Sequence, residues 1–294
     1  MPKFAYFGTP YVARDTLTRL VSRGYSPAIV VTSPDAPKGR GMQLMPCETK
    51  EWALAEGLPV ITPEKLDAAA IDEIRGYGCE LGIVVAYGKL FPQALIDAFP
   101  KGVVNIHYSL LPKYRGASPV EAALLHGDTV TGVAIQRMAL ALDAGDVIAT
   151  KEMAIGANET TKELRARLIE EGADLLASLM PALFDGTASA TPQDETLATY
   201  SGRIQKEDGL LDLTGDAREN WNKYRAYAES PGTYFFVERN GKRIRVKIKS
   251  ARLENGALVP QNGHSAFLVK KRRISQPTHQ LRPKKPSGPS PVMK

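Results

Sequence analysis

Cysteine is scarce in this chain. Cys47 and Cys79 are the only two in 294 residues, and they form neither a CxxC pair nor a Cys/His pairing. That excludes a disulfide framework and a structural zinc site, leaving two ordinary free thiols. Long apolar runs are missing too: no stretch approaches the roughly 18 to 20 residues that span a bilayer. The opening "MPKFAYFGTP" enters a strand pattern without signal-peptide character, so a cytoplasmic protein is expected. Glycine is thin where a dinucleotide site would need it. The first turn, "FGTPYVA", carries one glycine in place of three at fixed spacing, which excludes an NAD-type reading. Acidic residues are absent from 270–294, a segment holding eight Lys or Arg. The formal net charge of +6 therefore belongs to the C-terminal end, and attraction to a polyanion is local.

What is present is enough for a sizeable core: 43% of residues are hydrophobic, and the length suits one large and one smaller domain. Short Val/Ile-rich runs, "KFAYFG", "PAIVVT", "LGIVVAYG" and "GVVNIH", alternate with amphipathic segments near 11–22, 48–56 and 65–76. Alternation of this kind predicts parallel strands joined by crossover helices, a doubly wound, mostly parallel α/β sheet over 1–185. A long helix is expected from about Thr160 to Phe184, with Asn158 as N-cap and Leu164, Leu168, Leu175 and Leu179 facing the core. From 186 to 205 the composition turns small and polar, the character of a linker. Over 206–269 a helix near Asp216–Ala228 precedes strand patterns divided by the hairpin signal Asn240-Gly241, predicting a small β domain. The basic, proline-rich 270–294 is expected to be disordered.

Chemistry concentrates in "VVNIH". Alternation along a strand puts Asn105 and His107 on one face and Ile106 on the other. Ligands of open α/β sheets bind outside the carboxyl ends of strands, which is where this pair falls. Asp143, in the glycine-containing loop "ALDAGD" between two strand patterns, supplies a third polar group. The amide offers a donor, the imidazole a tunable proton, and the carboxylate fixes the tautomer and favours the charged ring. No nucleophile accompanies them: neither cysteine is near in sequence, and Ser109 lacks an elbow pattern. The nucleophile then belongs to the substrate. An amine attacking a carbonyl fits, with Asn105 and His107 stabilising the oxyanion and Asp143 orienting His107 and helping to dispose of the amine proton. No motif indicates a metal.

These residues resemble a known family, the formyltransferases that use 10-formyltetrahydrofolate. Asn105, His107 and Asp143 correspond to that family's catalytic Asn, His and Asp, and "SLLP" followed by "RG" corresponds to its signature loop. Tyr108 stands where the family usually has a small residue or proline. The resemblance implies a folate pocket lined by Val85, Ala86, Tyr87 and Gly88 from "VVAYGKLFP" and by Ser109, Leu110, Leu111 and Pro112. It is closest to members acting on initiator methionyl-tRNA in translation initiation, and it implies a monomer with an OB-like barrel at 206–269. "SPDAPKGRGMQLMP" resembles the loop such members insert into the acceptor stem, and its Lys38 and Arg40, set between glycines, suit phosphates.

The second domain adds its own signal. Arg243, Arg245, Lys247 and Lys249 alternate with Ile244, Val246 and Ile248, so one strand would show a basic face and bury the other. Four basic positions in a row suit tracking of a nucleic-acid backbone by a small barrel. Two rivals remain open. A sugar-nucleotide N-formyltransferase would share the trio and the folate donor, but a small amino sugar requires neither basic element. A catalytically degenerate RNA-binding protein would have no use for the intact trio.

Overall fold

The computed structural model describes residues 3–39, 41–254 and 257–261. Strands, in chain order, are β1 (Phe4–Gly8), β2 (Ile29–Val31), β3 (Ala36–Lys38), β4 (Gln43–Met45), β5 (Val60–Ile61), β6 (Leu81–Val85), β7 (Val103–His107), β8 (Arg115–Gly116), β9 (Val130–Arg137), β10 (Val147–Ala154) and β11 (Tyr200–Ser201). Four more follow: β12 (Tyr234–Arg239), β13 (Lys242–Lys247), β14 (Ser250–Glu254) and β15 (Ala257–Gln261). Helices are α1 (Tyr11–Ser22), α2 (Glu48–Ala55), α3 (Ala68–Gly76), α4 (Gln93–Ile96), α5 (Pro119–Leu125), α6 (Thr161–Asp185) and α7 (Ala217–Tyr227).

One seven-stranded sheet, in the order β10-β9-β7-β6-β1-β2-β5, organises the chain. The five strands from β5 to β7 pair in parallel, whereas β9 runs antiparallel to both β7 and β10. The expected doubly wound, mostly parallel sheet is therefore present. Strands in the middle are buried on both faces because helices cover both. Alternation proves it: Phe4 and Tyr6 enter one apolar cluster with α1, α5 and α6, while Ala5 and Phe7 enter another with Ile71, Leu95 and Phe99. On α6, Leu164, Leu168, Leu176 and Met180 are fully buried; truncating one such side chain to Ala costs about 2 to 5 kcal/mol. Leu175 and Leu179 pack at the cluster's edge. The N-cap of α6 is Thr160 rather than Asn158, because the Glu163 carboxylate accepts from the Thr160 N–H and Oγ1 at 2.8 and 2.7 Å. That reciprocal partner outweighs a side chain two residues earlier.

Leaving β1, the chain goes to β2 on one side of it and reaches β6 on the other, so the topological switch lies between β1 and β6. By the rule for open α/β sheets the ligand crevice falls outside the carboxyl ends of β1, β6 and β7, and there Thr9 Oγ1, just past β1, donates to the Tyr87 carbonyl, just past β6, at 3.3 Å. Helix α7 docks on the large domain through Ala226 and Tyr227, and Thr161 Oγ1 donates to the Ala226 carbonyl at 2.7 Å. Its other face forms a second core with Leu211, Trp221, Tyr224, Phe235 and Ile248.

Among the described residues, the C-terminal strands make two antiparallel hairpins, β12-β13 and β14-β15. Asn240 and Gly241 both take positive φ, 53° and 68°, as the turn between β12 and β13 requires. The stretch read as one strand from 242 onward breaks after Lys247, and Lys249 falls between β13 and β14. Burial of its apolar face is graded: Ile248 is 3% exposed but Ile244 is 40% exposed. The expected tail at 270–294 lies outside the described residues. No described helix is long and apolar enough to cross a membrane.

Candidate active site

Asn105 and His107 sit at the carboxyl end of β7, on the face that Val103 shares with Ala5 and Phe7. Ile106 and Tyr108 point the other way, into the cluster beneath α1 and α6. Tyr108 therefore has no part in the crevice. Its hydroxyl bonds Thr16 Oγ1 at 3.1 Å.

Asp143 is carried to the same place by the connection between β9 and β10. Its φ of 49° is left-handed, a conformation Asp tolerates better than most residues. Gly145 closes the loop: a Cβ there would lie 1.8 Å from the Arg137 carbonyl oxygen, so no other residue fits without moving the backbone. The Asp143 carboxylate is fixed from two sides. Oδ1 accepts from Gln136 Nε2 at 2.9 Å and from Asn105 Nδ2 at 3.5 Å, and Oδ2 accepts from the Gly116 N–H at 2.8 Å.

His107 Nε2 lies 2.9 Å from the Tyr114 carbonyl, so that nitrogen carries a proton and donates it. Nδ1 then faces Asp143 Oδ2 at 3.6 Å, outside hydrogen-bonding distance but close enough for a charge to be felt. Burial pushes the imidazole's pKa below its usual value; Asp143 and the Tyr114 hydrogen bond act the other way without restoring it. The resting ring is neutral at pH 7, with Nδ1 as its titrating atom. The carboxylate's pull toward the charged ring is real but smaller than the desolvation.

The structure thus brings together all three polar residues singled out in the sequence. The other candidates separate. Val85 and Tyr87 are buried, while Ala86 (φ 47°) and Gly88 are exposed at the end of β6, with Leu90 beside them 85% exposed. Ser109 is wholly buried and its hydroxyl donates to the Lys113 carbonyl, which makes it a brace of the loop rather than part of its surface. Leu111 is buried too; Leu110 and Pro112 are partly exposed.

The basic loop at 33–46 is a hairpin of β3 and β4. Lys38 is tied to Glu48 Oε1 at 3.1 Å, and among the described residues beyond it Met42, Leu44 and Met45 are exposed together with the polar Gln43. Arg40 lies outside the described residues. On β13, the guanidinium carbons of Arg243 and Arg245 lie over the rings of Phe236 and Tyr234, at 3.9 and 3.5 Å from the centroids. With the exposed Lys247 they form one face of the β12-β13 hairpin, opposite the core.

Several site residues carried no role in the sequence reading. Gln136, 1% exposed, breaks an apolar run in β9, a signal that was legible. Arg115 was read only as the first residue of the "RG" in the signature loop, and Gln193 carried no signal, since it sits in the stretch read as linker. Among the described residues no group of three His, Cys, Asp or Glu is arranged to hold a metal.

An amide donor, an imidazole with its Nε2–H committed to a backbone carbonyl and an anchored carboxylate lie together with no nucleophile of their own, a combination chemically suited to acyl transfer between two substrates. A family model described as formyl transferase matches residues 2–180, and one described as formyl transferase, C-terminal domain, matches 203–274. The chain belongs to the formyl transferase family. It is 40% identical over 237 residues to a methionyl-tRNA formyltransferase of Citrifermentans bemidjiense, covering 80% of this chain and 74% of the relative. A methionyl-tRNA formyltransferase of Pelobacter propionicus is 40% identical over 256 residues, covering 87% and 79%. Among solved structures, the N-formyltransferase of Helicobacter canadensis with folinic acid and dTDP-3-aminofucose superposes with a TM-score of 0.63. It shares 18% identity and covers 86% of this chain and 89% of its own, a likeness of fold.

Proposed function

We propose that this enzyme transfers a formyl group from 10-formyltetrahydrofolate to the α-amino group of initiator methionyl-tRNA, acting as a cytoplasmic monomer. The observation that carries the reading is the meeting of Asn105, His107 and Asp143 at one end of the sheet. The relatives at 40% identity support the choice of acceptor.

The crevice suits the donor. Exposed Ala86, Gly88 and Leu90 give apolar surface and open backbone next to the polar trio. Bound there, the donor would supply the formyl carbonyl; the protein's residues do the rest. Asn105 donates a hydrogen bond to the carbonyl oxygen as negative charge develops on it. His107 takes the proton of the attacking amine at Nδ1, since Nε2–H is committed to the Tyr114 carbonyl. The imidazolium so formed stands beside both Asp143 and the oxyanion, and each lowers its cost. A C–N bond to the amine forms, the bond to the donor's nitrogen breaks, and the proton held at His107 returns to that departing nitrogen.

Acceptor binding falls to the basic elements. Arg243, Arg245, Lys247 and Lys249, on or next to the β12-β13 hairpin of an OB-like unit, follow the tRNA backbone. Lys38 and Arg40, with the exposed tip of the β3-β4 hairpin, approach the acceptor end. A formylation assay with 10-formyltetrahydrofolate, comparing charged initiator tRNA with an amino-sugar nucleotide, tests the reading. Transfer to the tRNA is expected; transfer to the sugar alone overturns it.

A further inference from the structure

Gln193 uses its whole side-chain amide. Nε2 donates to the backbone carbonyls of Asp143 at 2.9 Å and Gly145 at 2.7 Å. Oε1 accepts from Arg115 Nε at 3.1 Å and from Arg115 Nη2 at 2.9 Å. Arg115 is 1% exposed, and its other edge grips both carboxylate oxygens of Glu195 at 2.7 and 2.8 Å. The chain then continues along the loop that serves His107. Arg115 N–H donates to the Thr199 carbonyl, Tyr114 N–H donates to Thr199 Oγ1, and β11 pairs with β8. One short segment, 193–201, thus fastens both backbones that hold the trio's partners: the Asp143 loop and the Tyr114–Gly116 turn.

We propose that Gln193 is a positioning residue for formyl transfer, holding the Asp143 loop at the distance from His107 that lets the carboxylate stabilise the ring's charge. The proposal rests on the roles given above to Asp143 and His107. The Asp143 carboxylate is held by Gln136, Asn105 and Gly116, but Leu140 and Leu142 beside it are exposed to solvent, so the backbone of the loop has little packing of its own to fix it. The Gln193 amide, donating to the carbonyls of Asp143 and Gly145, holds that backbone instead, and a shift of about 1 Å at a reacting group can cost about a hundredfold in rate. Because 193–201 leads directly into the C-terminal unit, the same contacts tie the trio to the part of the chain that carries the basic hairpin.

Two variants separate positioning from mere structure. Gln193→Glu keeps an acceptor for Arg115 but loses both donors and sets carboxylate oxygens against the two carbonyls. Gln193→Met loses everything at similar volume. Both should lower kcat about 10- to 100-fold with KM for tRNA and donor changed less than about threefold. The direct readout is His107 itself. Only four histidines occur, so its ring can be followed by NMR through a pH titration. In Gln193→Met, which adds no charge of its own, its titration should move to lower pH, since the carboxylate that opposes desolvation has moved away. In an Asp143→Asn background, adding Gln193→Glu should cost little more, because both changes act through one group. An unchanged His107 titration with wild-type kcat, while Asp143→Asn is inactive, overturns the inference and leaves the trio standing. So does a fall in melting temperature that accounts for all lost activity. Wild-type turnover in Asp143→Asn would instead overturn the roles assigned to the trio.

Discussion

Asp143→Asn removes one charge and almost no volume, so it isolates electrostatics from shape. Asp143 Oδ2 stands 3.6 Å from His107 Nδ1. At an effective dielectric of about 20, a full charge pair at that distance is worth about 4 to 5 kcal/mol. In the resting enzyme the ring is neutral and little of this is realised. It appears only as the ring takes the amine proton, so its loss should fall on turnover rather than on binding. The expected decrease in kcat is roughly a thousandfold, with KM for both substrates nearly unchanged. The same substitution has a smaller cost in stability. Whichever way the new amide turns, its NH2 faces a donor, either Gln136 Nε2 or the Gly116 N–H. One buried hydrogen bond is lost, about 1 to 3 kcal/mol. Single-turnover formylation at saturating donor, beside a thermal melt, measures both. A variant that stays folded and turns over within tenfold of wild type refutes the charge argument.

Asn105→Ala should reduce kcat by about 2.7 to 4 kcal/mol of lost oxyanion stabilisation, and near wild-type turnover in kinetic assays removes it from the mechanism. For His107 the pH dependence has a definite sign. Its folded pKa lies below the unfolded value of about 6.5, so between the two the unfolded chain binds more protons and stability rises with pH. The contribution is complete above pH 6.5 and lost as pH falls toward the lowered value; urea titrations of His107→Gln should show a shallower acid loss than wild type, and equal slopes would contradict it. Dialysis against EDTA should leave activity intact, whereas loss restored by zinc or magnesium would reassign Asp143 as a ligand. Neutralising Arg243, Arg245, Lys247 and Lys249 together should weaken binding of all tRNAs and lower the slope of log affinity against log salt by roughly 0.7 to 0.9 per lost phosphate contact. Arg40→Ala should mainly reduce turnover on charged initiator tRNA, and filter binding over a salt series separates the two effects.

The sequence by itself determined the sheet and the polar pair on it. Strands buried on both faces must be apolar throughout, and their crossover helices must be amphipathic, so "GIVVA" and "VVNIH" were legible as strands of one sheet, with Asn105 and His107 on one side of the second. Period-two alternation is a local property, and it also sent Tyr108 away from the crevice. The Asn240-Gly241 turn was legible for the same reason: its backbone demand is written in two adjacent residues. Where a periodic reading met graded burial, as along Ile244, Val246 and Ile248, the pattern marked the face but not its depth, since depth depends on what packs against it. The N-cap at Thr160 depended on which carboxylate folded back. Other features belonged to the tertiary structure alone. That His107 rests neutral follows from how completely it is buried, a sum over many distant atoms. That Nδ1 rather than Nε2 exchanges the proton follows from the Tyr114 carbonyl. Gln193 looked like linker chemistry because nothing near it in sequence is its partner; its meaning lies in the carbonyls of Asp143 and Gly145 and the guanidinium of Arg115, which only the folded chain brings within a hydrogen bond of it.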